Sequence, residues 1–146
     1  MNHEVVLVLD FGGQYSKLIA RRIREGNVYS EVVPYDIDVD RVKEIDPVGI
    51  VFSGGPNSVY DEGAPEIDDE IFELGVPILG ICYGMQLMCH ELDGVVKRAE
   101  NKEYGRAMLE VKKDEGIFAG LDDELECWMS HADRVEEVPT GFEIIG

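Results

Sequence analysis

Up to Leu92 the chain alternates short, unbroken apolar runs with longer stretches in which apolar residues recur every three or four positions. The first run, Val5 to Leu9, ends in Asp10 and has the pattern of a strand buried on both faces; Phe11-Gly12-Gly13-Gln14 then turns the chain. Leu18, Ile19 and Ile23 are spaced for one buried face of a helix, Arg21, Arg22 and Arg24 lie toward its C-terminal end, and Gly26-Asn27 stops it. Tyr29 to Val33, closed by Pro34, predicts a second strand. Val39, Val42 and Ile45 give a short helical stripe before Asp46-Pro47, and Gly49 to Phe52 predicts a third strand running into Ser53-Gly54-Gly55-Pro56. A helix is expected from about Ala64 to Leu74, with Ile67, Ile71 and Leu74 facing inward and acids facing out. The run Val76-Pro77-Ile78-Leu79 predicts a fourth strand, and Met85 to Leu92 another helix.

Such alternation predicts an α/β fold with an open, mostly parallel, doubly wound sheet, in which ligands sit at the carboxyl ends of the strands. After Leu92 the rhythm changes to short β-like runs at Val95–Val96, Ala107–Val111, Leu125–Met129 and Phe142–Ile145, the pattern of a small antiparallel extension. No repeat, low-complexity tract or linker divides the sequence, so a single domain over 1–146 is expected.

Composition narrows the partners. With 146 residues and 45% hydrophobic content the chain is long enough for a sizeable core. Its net charge of −18 sets a self-repelling field against nucleic acid or an anionic membrane surface. The acids are spread along the chain, which predicts a solvated acidic surface suited to a salt-rich cytoplasm. No apolar stretch approaches the roughly 20 residues needed to span a bilayer, and the N-terminus lacks a signal-peptide pattern, so a cytoplasmic location is expected. Lys97, Arg98, Lys102, Arg106, Lys112 and Lys113 form the one long base-rich stretch. It marks either a docking side for a protein partner or a solvated ribbon balancing nearby acids. The three cysteines, Cys82, Cys89 and Cys127, lack the CxxC spacing of a zinc site or redox pair, and no metal is expected. Cys89 and Cys127 read as small buried hydrophobes.

The sharpest chemical signal is Gly80-Ile81-Cys82-Tyr83-Gly84, between the fourth strand and the helix that follows. A glycine two residues before and two after the cysteine allows a strand-to-helix turn tight enough to lift the thiol above the sheet, the geometry of a nucleophile elbow. There the N–H groups and positive dipole end of the helix are expected to favour thiolate over thiol, making Cys82 the candidate nucleophile. The ends of strands three and four should share one crevice, so the Gly54-Gly55 turn is expected to face Cys82 and Tyr83. Backbone N–H groups of Tyr83 and Gly55 are then candidate oxyanion-hole donors. Read alone, Gly-Gly-Pro is an ordinary turn.

Four segments together resemble a known family: Gly80 to Gln86, Ser53 to Pro56, the opening Leu9-Asp10-Phe11-Gly12-Gly13-Gln14-Tyr15 with Arg21-Arg22, and Trp128-Met129-Ser130-His131. They resemble the class I (triad) glutamine amidotransferases, and within them the glutaminases of the GMP synthase branch. The resemblance implies a flavodoxin-like sheet with a small antiparallel extension. It also implies attack by Cys82 on the side-chain carboxamide of glutamine, with Gly54, Gln86, Ser130 and His131 holding substrate. Asp133 falls in the same segment, and Ala132 stands where the family usually has glycine. Ammonia would pass to a separate ATP-pyrophosphatase synthetase that converts xanthosine monophosphate to GMP; ATP and Mg²⁺ belong to that partner, and this chain itself is expected to carry no cofactor. The family's base histidine and orienting glutamate lie in a Phe-His-Pro-Glu segment that residues 1–146 do not contain. His3 and His90 are not placed to substitute for it. Three readings follow: a C-terminally incomplete glutaminase with little turnover of its own, a catalytically silent docking subunit, or another elbow-cysteine α/β hydrolase or redox protein.

Overall fold

The computed structural model describes residues 3–146, with the side chains of residues 99–103 excepted, so Lys102 lies outside the described side chains. The chain forms two compact units, one ending at Glu91 and one from Leu92 to Gly146.

In the first unit the order is β1 (Val5–Asp10), α1 (Ser16–Glu25), β2 (Tyr29–Pro34), α2 (Val39–Ile45), β3 (Gly49–Phe52), a 3₁₀ helix (Asp69–Glu73), β4 (Ile78–Gly80) and α3 (Tyr83–Glu91). The four strands are parallel in the order β2-β1-β3-β4, the doubly wound arrangement expected. Strand alternation divides the core between the two faces of the sheet. Leu7 and Leu9 of β1 and Ile50 and Phe52 of β3 pack with Val42 of α2, Ile71 of the 3₁₀ helix, and Tyr83 and Leu87 of α3. Val8 and Val51, one position out of step, pack with Ala20 of α1. Leu9 pairs with Phe52 and Phe52 with Gly80, so β1, β3 and β4 end level with one another. Phe11 extends the core past those ends, its ring 5.7 Å from Tyr35, 5.5 Å from Phe52 and 5.7 Å from Tyr83.

The long helix expected from Ala64 to Leu74 contracts to the 3₁₀ helix Asp69–Glu73. The Asp68 carboxylate accepts a hydrogen bond from the Glu70 N–H at 3.0 Å and starts it there. Glu66 and Glu70, and Asp69 and Glu73, would stand as like-charge i,i+4 pairs on an α-helix, which disfavours the longer form.

In the second unit the separate runs after Leu92 join into two long strands, β5 (Val95–Glu110) and β6 (Glu124–Glu137), paired antiparallel. The register shifts between Val95 and Val96 and between Arg98 and Glu103. A 3₁₀ helix, Gly116–Phe118, lies in the connection. Phe142–Ile145 forms no strand, although the Ile145 carbonyl accepts hydrogen bonds from the N–H groups of Lys112 at 2.8 Å and Lys113 at 3.2 Å. No helix among the described residues is long and apolar enough to cross a membrane.

Candidate active site

The carboxyl ends of β1, β3 and β4 are laced together by backbone hydrogen bonds. Ser53 N–H donates to the Leu9 carbonyl at 3.1 Å, Ile81 N–H to Phe52 at 3.0 Å, Gly84 N–H to Ser53 at 3.1 Å, and Gly13 N–H to Gly54 at 3.0 Å. Asp10 fixes the turn after β1, its Oδ1 accepting from Gly12 N–H and from Ser16 Oγ, both at 2.9 Å. Three turns therefore meet at one end of the sheet, as expected of the crevice in such a fold.

Cys82 sits at the sharpest of them, with φ of 52°. That left-handed conformation costs a non-glycine residue of order 1–3 kcal/mol and is held only where the surroundings impose it. Here they do. A methyl group on Gly80 would lie 2.7 Å from Met85 Cα, and one on Gly84 2.5 Å from the Phe52 carbonyl oxygen, so both elbow glycines are required by close approach of backbone. A methyl on Gly54 would lie 3.4 Å from Cys82 Cβ, so Gly54 stands next to the Cys82 side chain.

Tyr83 opens α3, so its N–H has no partner in the helical ladder. Its side chain is buried, donates to the Pro65 carbonyl and has its phenol pushed up to about 12, chiefly by burial and then by Glu66. Tyr83 thus contributes backbone to the site while its ring anchors the elbow in the core. Gln86 is 5% exposed, its N–H donating to the Cys82 carbonyl at 3.0 Å, so it is no helix-surface amide.

Cys82 is exposed, yet burial pushes its thiol up rather than down. The cause is loss of water from around the sulfur, and the direction is opposite to the lowering expected at a helix N-terminus. Cys89 is buried, as expected, and Cys127 half-buried. His90, in the last turn of α3, meets Tyr60 edge-on at 5.5 Å and lies roughly 12 Å along the helix from Cys82. His3 precedes β1, at the opposite end of the sheet from the elbow.

Ser130 and His131 belong to the second unit, on β6. Ser130 is exposed and pairs with Tyr104; His131 is half-buried, its Nδ1 2.9 Å from the Asp133 carbonyl oxygen. Asp133 is buried and pairs across the ribbon with Arg98. Among the bases of that unit, Arg106 lies 3.5 Å from Glu126, Lys112 4.0 Å from Glu110, and Lys113 against Glu143. Those pairings fit a ribbon balancing its own acids. Sequence reasoning overlooked Ser53 as more than part of a turn. It is buried, its Oγ accepting from Phe11 N–H at 2.9 Å and donating to the Gly54 carbonyl at 3.0 Å. A small polar residue directly after an apolar strand was the available signal.

A cleft of 540 Å³ opens at the ends of β1 and β2, lined by Asp10, Phe11, Val33, Tyr35, Pro56 and Pro65 among others; Cys82 is not on its wall. No group of three or more His, Cys, Asp or Glu among the described residues is arranged to hold a metal.

The family model described as glutamine amidotransferase class-I matches residues 7–146. The chain is 59% identical over 140 residues to the GMP synthase [glutamine-hydrolyzing] of Heliobacterium modesticaldum, covering 96% of this chain and 27% of that protein. It is 56% identical over 146 residues to the enzyme of the same name from Natranaerobius thermophilus, covering 100% of this chain and 29% of that protein. The chain therefore spans less than a third of the length of these curated relatives. A protein assigned as a GMP synthase subunit from Thermoplasma acidophilum has a crystal structure that matches with a TM-score of 0.78 at 33% identity, over 98% of this chain and 72% of that one. The fold is shared further with a glutamine amidotransferase from Thermotoga maritima, at a TM-score of 0.71 and 23% identity, over 94% and 64% of the two chains.

Proposed function

The chain belongs to the class-I glutamine amidotransferase family, and on that premise we propose that it is the glutaminase part of a GMP synthase. The observation that carries this reading is the left-handed backbone of Cys82 between two glycines that admit no side chain, beside the Gly54-Gly55 turn. The same backbone at Asp46 closes a helix, whereas at Cys82 it stands between strand β4 and helix α3, the place of a nucleophile elbow.

The Cys82 thiolate attacks the side-chain carbonyl carbon of glutamine, forming a C–S bond and an oxyanion that the N–H groups of Tyr83 and Gly55 stabilise. The C–N bond then breaks, and the nitrogen takes up a proton and leaves as ammonia. Water attacks the thioester, releasing glutamate and the thiol. Gln86 in the first unit and Ser130 and His131 in the second are the substrate-binding residues of this reading, which takes 1–146 as one amidotransferase domain. Ammonia passes to an ATP-dependent synthetase that aminates xanthosine monophosphate; ATP and Mg²⁺ serve that partner's chemistry. Within the first unit neither His3, ahead of β1, nor His90, in the last turn of α3, stands where a base for Cys82 is needed.

Labelling with a diazoketone analogue of glutamine tests the reading. Stoichiometric modification of Cys82, abolished in Cys82→Ser and blocked by glutamine, is the expected result. No modification, even with the synthetase and its nucleotides present, would favour a silent docking subunit. Ready reaction with peroxide but not with the analogue would favour a redox protein.

A further inference from the structure

The Gly54 carbonyl is the most heavily restrained group in the turn beside Cys82. It accepts two hydrogen bonds, from Gly13 N–H at 3.0 Å and from Ser53 Oγ at 3.0 Å, which fills both lone pairs of a carbonyl oxygen. Ser53 has no freedom to do otherwise. The residue is 1% exposed and its Oγ already accepts from Phe11 N–H at 2.9 Å, while its single proton goes to the Gly54 carbonyl. Ser53 is also tied at its backbone, donating to the Leu9 carbonyl and accepting from Gly84 N–H, the latter on the elbow helix itself.

A trans peptide carries its N–H on the opposite edge from its C=O, and the described residues contain no cis peptide bond. Holding the Gly54 carbonyl toward Gly13 therefore turns the Gly55 N–H the other way. Two adjacent glycines have no Cβ of their own to oppose rotation of this peptide, so its orientation depends on the groups that hold it. An inverted peptide would offer a carbonyl oxygen, and hence negative charge, where an oxyanion must be stabilised.

We propose that Ser53 is a positioning residue: its buried hydroxyl, with the Gly13 amide, locks the Gly54-Gly55 peptide in the orientation that presents the Gly55 N–H to the oxyanion formed at Cys82. The proposal rests on the glutaminase reading and goes beyond it in naming what preorganises one donor. Ser53 touches neither substrate nor the reacting atoms. Its hydroxyl bridges the end of β1 and the oxyanion turn, so the donor is fixed before substrate arrives rather than by it.

The test compares two ligands. Glutamate γ-semialdehyde adds the Cys82 sulfur to its aldehyde carbon, giving a thiohemiacetal whose oxygen occupies the oxyanion position; L-norvaline, which has the same α-amino acid group and no side-chain oxygen, places nothing there. In Ser53→Ala the aldehyde should bind about 10–100-fold more weakly, a part of what losing a whole oxyanion donor costs. L-norvaline affinity and the rate of Cys82 alkylation by iodoacetamide should change less than about twofold, since neither places an oxygen on the oxyanion donors. Ser53→Thr, which retains a hydroxyl, should recover most of the aldehyde affinity. Unchanged aldehyde binding in Ser53→Ala, or an equal loss for both ligands, or no recovery in Ser53→Thr, would overturn the proposal while leaving the glutaminase reading in place. Absence of any thiohemiacetal in the unaltered chain would instead overturn that reading, and this inference with it.

Discussion

At Cys82 two physical effects oppose each other. The sulfur stands at the start of α3, where the helix dipole and free N–H groups favour a negative charge, and it has lost part of its hydration to the surrounding turns. Burial pushes the thiol up. A raised thiol means a smaller thiolate fraction at any pH below it, and thiolate is the reactive form. Alkylation of Cys82 by iodoacetamide should therefore climb about tenfold per pH unit through neutrality. Its plateau should lie at a higher pH than that of the same cysteine in urea, and at pH 7 the folded chain should react more slowly than the unfolded one. A rate-against-pH profile levelling off below pH 8 would show the dipole to be the stronger term. The direction matters for the proposed mechanism: a thiol pushed up must give up its proton before it attacks, so aim from the turn at Cys82 is not enough and the reaction needs a base.

Among the elements, β1 to β3 and the first two helices were legible because each carries an unambiguous period: unbroken apolar runs for strands buried on both faces, and a stripe at three- and four-residue spacing for α1 and α2. The elbow was legible for a different reason, since paired glycines at fixed spacing have few other uses. The acidic segment before β4 was misread because Ile67, Ile71 and Leu74 keep helical spacing while the charges between them oppose a long helix, and hydrophobic spacing takes no account of charge repulsion. The lengths of β5 and β6 were hidden because the solvent face of the ribbon carries charged and aromatic residues alike, Trp128 being 74% exposed. Ser53 was hidden because its role is a hydrogen-bond pattern between segments distant in sequence. A comparable tie joins α1 to β2: Ser30 is fully buried, its Oγ donates to the Ala20 carbonyl at 2.6 Å, and its own carbonyl accepts from Arg24 Nη2 at 2.8 Å and Nε at 3.2 Å. Ser30→Ala removes one buried side-chain bond and leaves the Arg24 contacts to the backbone. Stability measured by urea unfolding should fall by about 1 kcal/mol, with labelling of Cys82 unchanged because the tie lies on the far face of the sheet. A loss of reactivity equal to the loss of stability would mean that the two faces are coupled.

For the molecule as a whole the governing quantity is charge. Thirty-one acids face thirteen bases, a net −18 over 146 residues. The ion pairs do little to offset it: Arg22 with Glu25 and Arg41 with Glu44, both at 2.8 Å, are solvent-exposed i,i+3 pairs of a kind worth only a few tenths of a kcal/mol each. Salt acts on both terms, weakening these pairs and the general repulsion together. The repulsion is the larger because it sums over many uncompensated acids at separations of ten ångströms and more, where the Debye length decides everything: about 30 Å at 0.01 M salt and about 3 Å at 1 M. Unfolding spreads the same charges apart, so low salt favours the unfolded chain. Thermal unfolding should therefore shift upward by several degrees between dilute buffer and molar sodium chloride, at about 2–4 °C for each kcal/mol regained in a chain of this size. Most of the gain should arrive below about 0.3 M, before ordinary salting effects on apolar surface contribute. Potassium chloride should match sodium chloride, since screening depends on ionic strength and not on the identity of the cation. A melting temperature that stayed flat or fell with salt would mean that the acidic surface is compensated by local pairing after all, and would remove the expectation that it suits salt-rich surroundings.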